Sequence, residues 1–313
     1  MKAIHSMNRP MDAQTIRTAL TGPIASIRTP FNRDGSIDYD GVRNMIDFHI
    51  KVGCKVSLLT AGDSHLICMT DEEIATINKV VVEHTAGRAL TVACDWEFAT
   101  PQALGFAKYC ASLGADILMA RPPDWAASAT LESLVEHYAS LAECMPIMIV
   151  TNIFQNRPEK FALETTRALL ERVPNLLALK EDLTGEIARR FCLIAHPQKA
   201  VFAGGGLRNH LNMHPFGCDG FMDRHMNFAP RVTDRYWNAI QQNDLAAARK
   251  VIRDVEIPLE DFMAAFPGGR DAAVHGLIEL AGVAGRWRRK PYHSLTDQEM
   301  ERLRNFVTEM GLF

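Results

Sequence analysis

The stretch LLALKE, residues 176–181, is a short apolar run that ends in two charged residues. Its hydrophobic residues follow one another without the polar alternation that a half-exposed strand shows. Runs of this kind are typical of strands in a parallel sheet that is covered on both faces. The stretch therefore predicts a buried strand that delivers Lys180 and Glu181 to its carboxyl end.

Further runs of the same kind are spread along the chain, and helical patterns separate them. These runs are GPIASI (22–27), VSLLTA (56–61), LTVACD (90–95), DILMA (116–120), PIMIVTN (146–152), AVFAGG (200–205) and DGFMD (219–223). With residues 176–181 they make eight strand-then-helix units, which predict the α/β class and a closed (β/α)8 TIM barrel. The competing architecture, a doubly wound open sheet, usually has a GxGxxG turn after its first strand, and this chain shows none there.

Several of the intervening segments carry helix-start signals. Thr70 and Glu73 have the spacing of a capping box, and the same pattern returns at residues 296–299. Thr100 precedes Pro101, which pairs an N-cap residue with a proline at the first helical position. We therefore expect a helix to begin directly after each of these threonines.

The chain becomes purely helical after the eighth strand. The helical patterns cover residues 229–243, 244–265, 270–283 and 296–310. One of these helices must close the barrel as its eighth, and the others form an appendage. We predict an N-terminal extension over residues 1–21, the barrel over 22–243 and a C-terminal helical region over 244–313.

Composition narrows the classes of function. The 313 residues carry a formal net charge of −3, with 47% hydrophobic and 23% charged residues, so we expect no nucleic-acid partner. No apolar run reaches the ~20 residues of a membrane helix, and the N-terminus lacks a secretory pattern. Seven scattered cysteines without a CxxC pair favour a reduced, cytoplasmic protein.

No cofactor and no metal is expected. His210 and His214 are four residues apart and have the spacing to share a helix face, but no third ligand accompanies them. The HxH pattern of metal-dependent hydrolase barrels is missing after the first strand. We interpret the two histidines as surface residues.

In a (β/α)8 barrel the chemistry lies at the carboxyl ends of the strands. The reactive residues at those positions are Thr60, Asp63, Asp95, Arg121, Asp124, Thr151, Asn152, Lys180, Glu181, Asp182, Asp223, Arg224 and His225. Lys180 is distinctive because it emerges from a buried strand, where an unpaired ammonium group costs several kcal/mol. A neutral amine at this place is a nucleophile that forms a Schiff base with a ketone. The alternative is a structural ion pair between Lys180 and Glu181, Asp182 or another acid at the barrel end.

A set of short motifs carries a family resemblance. They are Thr29-Pro30-Phe31, residues 34–38, Thr60-Ala61-Gly62-Asp63, residues 70–73, Pro122-Pro123, Thr151-Asn152-Ile153, Leu179-Lys180-Glu181 with Thr184-Gly185, Gly220-Phe221-Met222 with Asn227, and Pro291. In their order and spacing, over roughly residues 22–310, the chain resembles the dihydrodipicolinate synthase / N-acetylneuraminate lyase superfamily.

The resemblance implies a homotetramer and a Schiff-base lysine, which matches Lys180. It also implies that a pyruvoyl carboxylate binds at the loop after the second strand. There Thr60 offers a hydroxyl group, and the backbone N–H groups of Ala61 and Gly62 are suited to bind the anion. We expect Asp63, Gly204 and Met222 to complete the set of substrate-binding residues.

The chain departs from the family at the proton carrier. The resemblance implies a general acid/base tyrosine just before the strand-5 asparagine, and this chain has Thr151 there. A threonine is a poor acid near neutral pH, so its expected catalytic role is to orient a water molecule. The proton shuttle is left open among a substrate carboxylate and four side chains: Asp63, His65, Asp124 and His225.

Two further departures affect the predicted pocket. The loop after Gly62 is two residues longer than the common family form, and Asp63 stands where the family has glutamate. Arg157 is displaced by one residue and is either a ligand for a distal substrate carboxylate or a surface residue. The exit of the eighth strand, with Asp223 and Arg224, is bulky, which predicts an altered pocket or a structural contact between these two side chains.

These residues predict a class I lyase that acts on pyruvate or a 2-oxo sugar acid through Lys180, with an aldol reaction as the first choice. The alternative reaction is dehydration of a 2-keto-3-deoxy sugar acid through the same imine. The alternative of another class is a non-catalytic protein that binds a 2-oxo acid on the same fold. The missing tyrosine supports the binding protein, and the retained lysine supports the enzyme.

Overall fold

The computed structural model describes residues 12–312. Residues 1–11 of the predicted N-terminal extension and Phe313 of the predicted C-terminal region lie outside the described residues. Residues 13–20 of the extension form a helix whose Ile16 and Leu20 side chains are buried. This helix contacts the β6 and β7 strands defined below.

Eight parallel strands form the sheet, in the order β1-β8-β7-β6-β5-β4-β3-β2. They are β1 (Gly22–Ile24), β2 (Val56–Leu58), β3 (Leu90–Cys94), β4 (Ile117–Met119), β5 (Ile147–Val150), β6 (Leu176–Glu181), β7 (Ala200–Ala203) and β8 (Gly220–Met222). The two ends of this order meet at a parallel bridge between Ser26 and Leu58, where the Ile27 N–H donates to the Leu58 carbonyl at 2.9 Å. The predicted (β/α)8 barrel is confirmed.

Helices alternate with the strands as predicted. They are α1 (Ala13–Leu20), α2 (Tyr39–Lys51), α3 (Asp71–Thr85), α4 (Thr100–Leu113), α5 (Leu131–Ala142), α6 (Glu159–Arg172), α7 (Glu186–Ala195), α8 (Gly206–Met213), α9 (Pro230–Gln241), α10 (Leu245–Val251), α11 (Ile257–Ala264), α12 (Gly269–Leu280) and α13 (Asp297–Glu309). The helix that closes the barrel is α9, which follows β8 and contacts β1. A π-helical segment, Ile252–Glu256, joins α10 to α11.

The capping predictions have mixed outcomes. Thr70 and Glu73 form a complete capping box at the start of α3, and Thr296 and Glu299 do so at α13. The prediction that Thr100 caps α4 is wrong by one residue, since the residue before it holds the N-cap position. The Thr100 hydroxyl is instead 2.9 Å from Nδ1 of a histidine on α5, and this partner draws it away from the helix end.

Two large apolar cores organise the described residues. The larger one lies in and around the barrel, and every position of β6 is buried. The smaller one joins α11, α12 and α13, and it reaches the barrel through Met45 of α2 and Phe228. The C-terminal helices therefore pack on the barrel wall while retaining an apolar core of their own.

The segment between α12 and α13 is tied to the loops at the carboxyl ends of β1 and β2. The Phe31 N–H donates to the Trp287 carbonyl at 3.1 Å. Arg289 forms two hydrogen bonds of 2.7 Å with the Glu73 carboxylate and donates to the Gly35 carbonyl. A distant part of the chain is thus fixed at the end of the barrel where the strands finish.

No helix among residues 12–312 has both the length and the hydropathy that a bilayer crossing requires.

The contact of α1 with the barrel yields a stability prediction. A Cβ atom at Gly220 would lie 2.0 Å from the Leu20 carbonyl oxygen and 2.6 Å from the Gly22 carbonyl oxygen. Because both obstacles are backbone atoms, we expect Gly220→Ala to lower the free energy of unfolding by at least about 1–3 kcal/mol. Urea denaturation followed by circular dichroism measures this loss.

Gly105 provides the matched control. It lies inside α4, and an added Cβ atom would meet nothing within 4 Å. Gly105→Ala should leave the stability unchanged or raise it by about 0.5–1 kcal/mol, because alanine favours the helix. Equal stability of the two alanine variants would contradict the close packing at Gly220.

Candidate active site

A cavity of about 580 Å³ lies where the carboxyl ends of the strands converge. All eight strand exits contribute to its lining: Ser26, Arg28, Thr60, Ala61, Gly62, Asp63, Cys94, Trp96, Met119, Arg121, Val150, Asn152, Lys180, Asp182, Gly205, Gly206, Met222, Asp223 and Arg224, with Ile67, Gln155 and Tyr292 from the loops. Six of the predicted site residues are in this lining: Thr60, Ala61, Gly62, Asp63, Lys180 and Met222. Two others, Thr151 and Gly204, lie directly behind it.

Lys180 lies on the inner face of β6 with only 5% of its surface exposed. Its Nζ atom contacts Oδ1 of Asp182, which also lines the cavity. The ion pair that the sequence offered as an alternative reading is therefore present, but it lies inside the cavity. A buried ammonium group needs a paired carboxylate. Here the pair of Lys180 and Asp182 is accessible to a ligand in the cavity.

Thr151 is fully buried behind the cavity lining. Its hydroxyl group donates to Oε1 of Glu181 at 2.7 Å and accepts from the Asp182 N–H at 2.9 Å. Both hydrogen-bonding directions of the hydroxyl are thus used to connect the exits of β5 and β6. In this arrangement Thr151 fixes the backbone that carries Asp182.

Glu181 lies next to Lys180 in the chain but has no hydrogen bond to it. Its Oε1 accepts from Thr151 and from the Leu183 N–H at 2.7 Å, and its Oε2 is buried without a partner among the described residues. Burial raises the pKa of Glu181 from 4.5 to about 8, against the opposing effect of those hydrogen bonds. The carboxyl group is therefore largely neutral at physiological pH.

Gly204 follows β7 and faces the Lys180–Asp182 pair. A Cβ atom at this position would lie 1.9 Å from Oδ1 of Asp182 and 3.4 Å from Nζ of Lys180. The missing side chain is what leaves room for the pair. The role of Gly204 is therefore steric: because it has no side chain, the Asp182 carboxylate can lie next to Lys180.

Ser64 fixes the loop after β2 through two hydrogen bonds of its hydroxyl group. The Ser64 hydroxyl donates to the Ile27 carbonyl at 2.6 Å and accepts from the Thr60 N–H at 3.0 Å. Within the described part of the chain, the N–H groups of Ala61 and Gly62 have no hydrogen-bond acceptor. Free N–H groups beside a hydroxyl group on a fixed loop are suited to hold a carboxylate.

Asp63 is bound by two neighbours from the exit of β1. Its Oδ1 is 3.1 Å from a nitrogen of Arg28, and its Oδ2 accepts from the Ser26 hydroxyl at 2.6 Å. Burial raises the pKa of Asp63, but the Arg28 charge and the Ser26 hydrogen bond outweigh it, so the net pKa is lowered. Asp63 is therefore an ionised carboxylate that neutralises Arg28.

A charged cluster continues from Arg28 towards α12. Three members, His65, Asp271 and His275, bring ligand-type atoms within 4.8 Å of one another. Both oxygens of Asp271 are already held, Oδ1 by Arg28 and Oδ2 by Arg288 and His65. Two guanidinium charges at these atoms oppose a metal cation, so the cluster is an ion-pair network.

The exit of β8 does not form the contact between Asp223 and Arg224 that the sequence left open. Oδ1 of Asp223 is 2.8 Å from Nδ1 of His225, and its Oδ2 accepts from the Thr233 hydroxyl at 2.5 Å. Arg224 instead lies 2.6 Å from a carboxylate oxygen of Glu260 on α11. Asp223 is thus fully engaged although it lines the cavity.

Arg157 is not the surface residue that one of its two predicted roles required, since its side chain is only 8% exposed. Its Nε donates to Asp124 at 2.7 Å, and its terminal nitrogens donate to the carbonyl groups of Ala127 and Ala129. All of these partners are in the loop between β4 and α5. Arg157 therefore fixes that loop from inside, and its side chain does not line the cavity.

Two tryptophans, Trp96 and Trp125, lie near the barrel mouth, and they have different surroundings. Trp96 lines the cavity, with the Arg121 guanidinium carbon 5.5 Å from its ring centre. Trp125 is 90% exposed in the loop after β4 and does not line the cavity.

Arg28 and Tyr292 are among the cavity residues that sequence reasoning did not name. Tyr292 reaches it from the segment between α12 and α13, far along the chain from any strand exit. Arg28 precedes the Thr29-Pro30-Phe31 motif, and a charge at the end of an apolar strand was a signal available for it. No local pattern marked Tyr292, because only the tertiary fold brings it to the mouth.

Residues 19–310 match the model of the dihydrodipicolinate synthetase family. A 4-hydroxy-tetrahydrodipicolinate synthase from Nitrosospira multiformis is 28% identical over 298 residues, which cover 94% of this chain and 97% of the relative. The synthase of the same name from Methylibium petroleiphilum is 30% identical and covers 74% of this chain and 79% of the relative.

The fold is also found among solved structures. An N-acetylneuraminate lyase from Fusobacterium nucleatum superposes with a TM-score of 0.82 at 18% identity, over 93% of this chain and 99% of the lyase. At that identity the likeness concerns the fold alone. The family match spans the barrel and the helices that follow it, and by this match the chain belongs to the dihydrodipicolinate synthetase family.

Proposed function

We propose that this protein is a class I lyase that forms an imine between Lys180 and the carbonyl carbon of pyruvate or of a 2-oxo sugar acid. The observation that carries the proposal is the position of the Lys180 Nζ atom. It lies at the end of a buried strand, opens into a cavity of about 580 Å³ and donates a hydrogen bond to the Asp182 carboxylate. An amine in this setting is a nucleophile for a ketone.

The loop after β2 supports the assignment of the substrate class. The free N–H groups of Ala61 and Gly62 and the Thr60 hydroxyl provide donors for the carboxylate of a 2-oxo acid. The ketone of such an acid is adjacent to its carboxylate. Binding of the carboxylate at this loop therefore places the ketone next to Lys180. Met222 lines the same cavity and adds apolar surface.

An aldol reaction remains our first choice. Once the imine exists, its protonated nitrogen withdraws electrons and stabilises a carbanion at the neighbouring carbon. Cleavage or formation of a C–C bond uses this carbanion directly. Dehydration of a 2-keto-3-deoxy sugar acid uses the same intermediate with a different leaving group, so product analysis separates the two reactions.

We expect incubation with pyruvate and borohydride to leave a reduced adduct on the peptide that contains Lys180. Peptide mass analysis after digestion measures this adduct. Lys180→Ala should lose it, because the nucleophile is gone. Lys199→Ala is the matched control and should retain the adduct, since Lys199 is a partly buried lysine that does not line the cavity.

A failure of wild-type protein to form the adduct, with pyruvate and with a panel of 2-oxo sugar acids, would overturn the proposed function. Binding of the same acids without any reduced adduct would favour the non-catalytic binding protein. Turnover of the panel, followed by product analysis, decides between the aldolase and the dehydratase.

The protonation of Glu181 yields a pH prediction. Its pKa is raised from 4.5 to about 8 in the folded protein, so the folded state retains a proton that the unfolded chain loses. The contribution of Glu181 to stability is therefore present below about pH 4.5 and is lost as the pH rises to about 8. Glutamine imitates the neutral acid and removes this loss.

We therefore expect the stability of Glu181→Gln, relative to wild type, to rise between about pH 5 and about pH 9. Urea unfolding of both proteins at several pH values measures the difference. A difference that is constant over this range would show that Glu181 does not change its protonation there.

We propose a homotetramer in the cytoplasm. The tetramer rests on the family resemblance and on the exposure of Trp125, a large apolar side chain that is 90% exposed on one chain. All seven cysteines are free, which suits a reducing compartment.

Sedimentation velocity should give four times the mass of one chain. If Trp125 lies in a subunit contact, Trp125→Ser shifts the distribution towards smaller species. A wild-type protein that sediments as a monomer contradicts the tetramer.

A further inference from the structure

We propose that Asp182 is the general acid and base of imine formation, the group that moves protons between Lys180 and the substrate oxygen. This inference rests on the proposed function, because it concerns the same lysine. Its starting point is the direct contact between Oδ1 of Asp182 and Nζ of Lys180 inside the cavity. A proton carrier must reach the reacting nitrogen, and this carboxylate already touches it.

Asp182 is set apart from the other cavity carboxylates by its free oxygen. Both oxygens of Asp63 are bound, by Arg28 and Ser26, and both oxygens of Asp223 are bound, by His225 and Thr233. Asp182 uses Oδ1 for Lys180, and its Oδ2 has no hydrogen-bond partner among the described residues. Its side chain is 21% exposed, so the free oxygen is open to a ligand.

The surroundings hold Asp182 in this position. The Thr151 hydroxyl accepts from its N–H at 2.9 Å, and Gly204 leaves the space that its carboxylate fills. Glu181, the neighbouring acid, is tied to Thr151 and Leu183 behind the lining. Residues at the carboxyl ends of β5, β6 and β7 thus hold the Asp182 carboxylate against Lys180.

The other proton carriers considered from the sequence are less well placed. His65 and His225 are buried and do not line the cavity, and Asp124 is bound to Arg157. Tyr292 lines the cavity but comes from the loop between α12 and α13. None of these residues has a hydrogen bond to Lys180 within the described structure.

The proton transfers balance in one cycle. The Asp182 carboxylate takes a proton from the Lys180 ammonium group, and the neutral amine attacks the ketone carbon while the C=O π electrons move to oxygen. The carboxyl group gives its proton to that oxygen, and the carboxylate then removes a proton from the new C–N nitrogen. Asp182 finally protonates the hydroxyl group, water leaves, and the nitrogen electron pair completes the iminium, with Asp182 again a carboxylate.

The decisive measurement is the rate of borohydride trapping with pyruvate in Asp182→Asn. If Asp182 only paired with Lys180, its loss would leave more neutral amine and trapping would become faster. If Asp182 carries protons, trapping slows by on the order of 10²-fold or more although Lys180 is retained. The two roles therefore predict changes of opposite sign.

Added formate provides a second readout. A small carboxylate that enters the cavity of Asp182→Asn should restore part of the rate, and it should leave the wild-type rate unchanged. Asp182→Glu should retain more of the rate than Asp182→Asn, because it keeps a carboxylate. Circular dichroism and thermal unfolding of each variant establish that the fold is intact.

Gly204→Ala tests the position of Asp182 without removing it. The added Cβ atom would lie 1.9 Å from Oδ1, so the carboxylate must leave the lysine, and we expect slower trapping. A trapping rate in Asp182→Asn equal to or above that of wild type would overturn this inference while the imine itself stands. No adduct in wild type would instead overturn the proposed function.

Discussion

The buried ammonium group of Lys180 is the constraint around which this barrel end is organised. The four residues of β6 before Lys180 are apolar and buried, so the strand carries this charge out of an apolar core to the wall of the cavity. An unpaired charge there would cost several kcal/mol. The contact with Asp182 offsets that cost, and the same contact keeps a proton acceptor next to the amine.

The remaining acids of the site follow from this charge balance. Glu181 is turned behind the lining and is held neutral by burial, so one carboxylate faces Lys180. Asp63 is ionised and neutralises Arg28, whose other partner is Asp271. Lys180 and Arg28 therefore each have a carboxylate beside them, which offsets the cost of burying their charges.

The C-terminal region contributes to the site as well as to the fold. Asp271 on α12 and Arg288 in the following segment close the ion-pair network above Arg28, and Arg289 ties the same segment to Glu73. This attachment carries Tyr292 to the mouth of the cavity. The appendage is therefore part of the wall that a substrate meets.

Much of this protein was determined by the sequence alone. The unbroken apolar runs predicted parallel strands covered on both faces, and the eight strand-then-helix units predicted the barrel with Lys180 at the carboxyl end of a strand. The partners of each charged residue do not follow from such patterns, because side chains that meet across strand exits are far apart in the chain. Only the closed barrel creates three of these contacts: the hydrogen bond from Thr151 to Glu181, the space that Gly204 leaves for Asp182, and the approach of Tyr292 to the cavity.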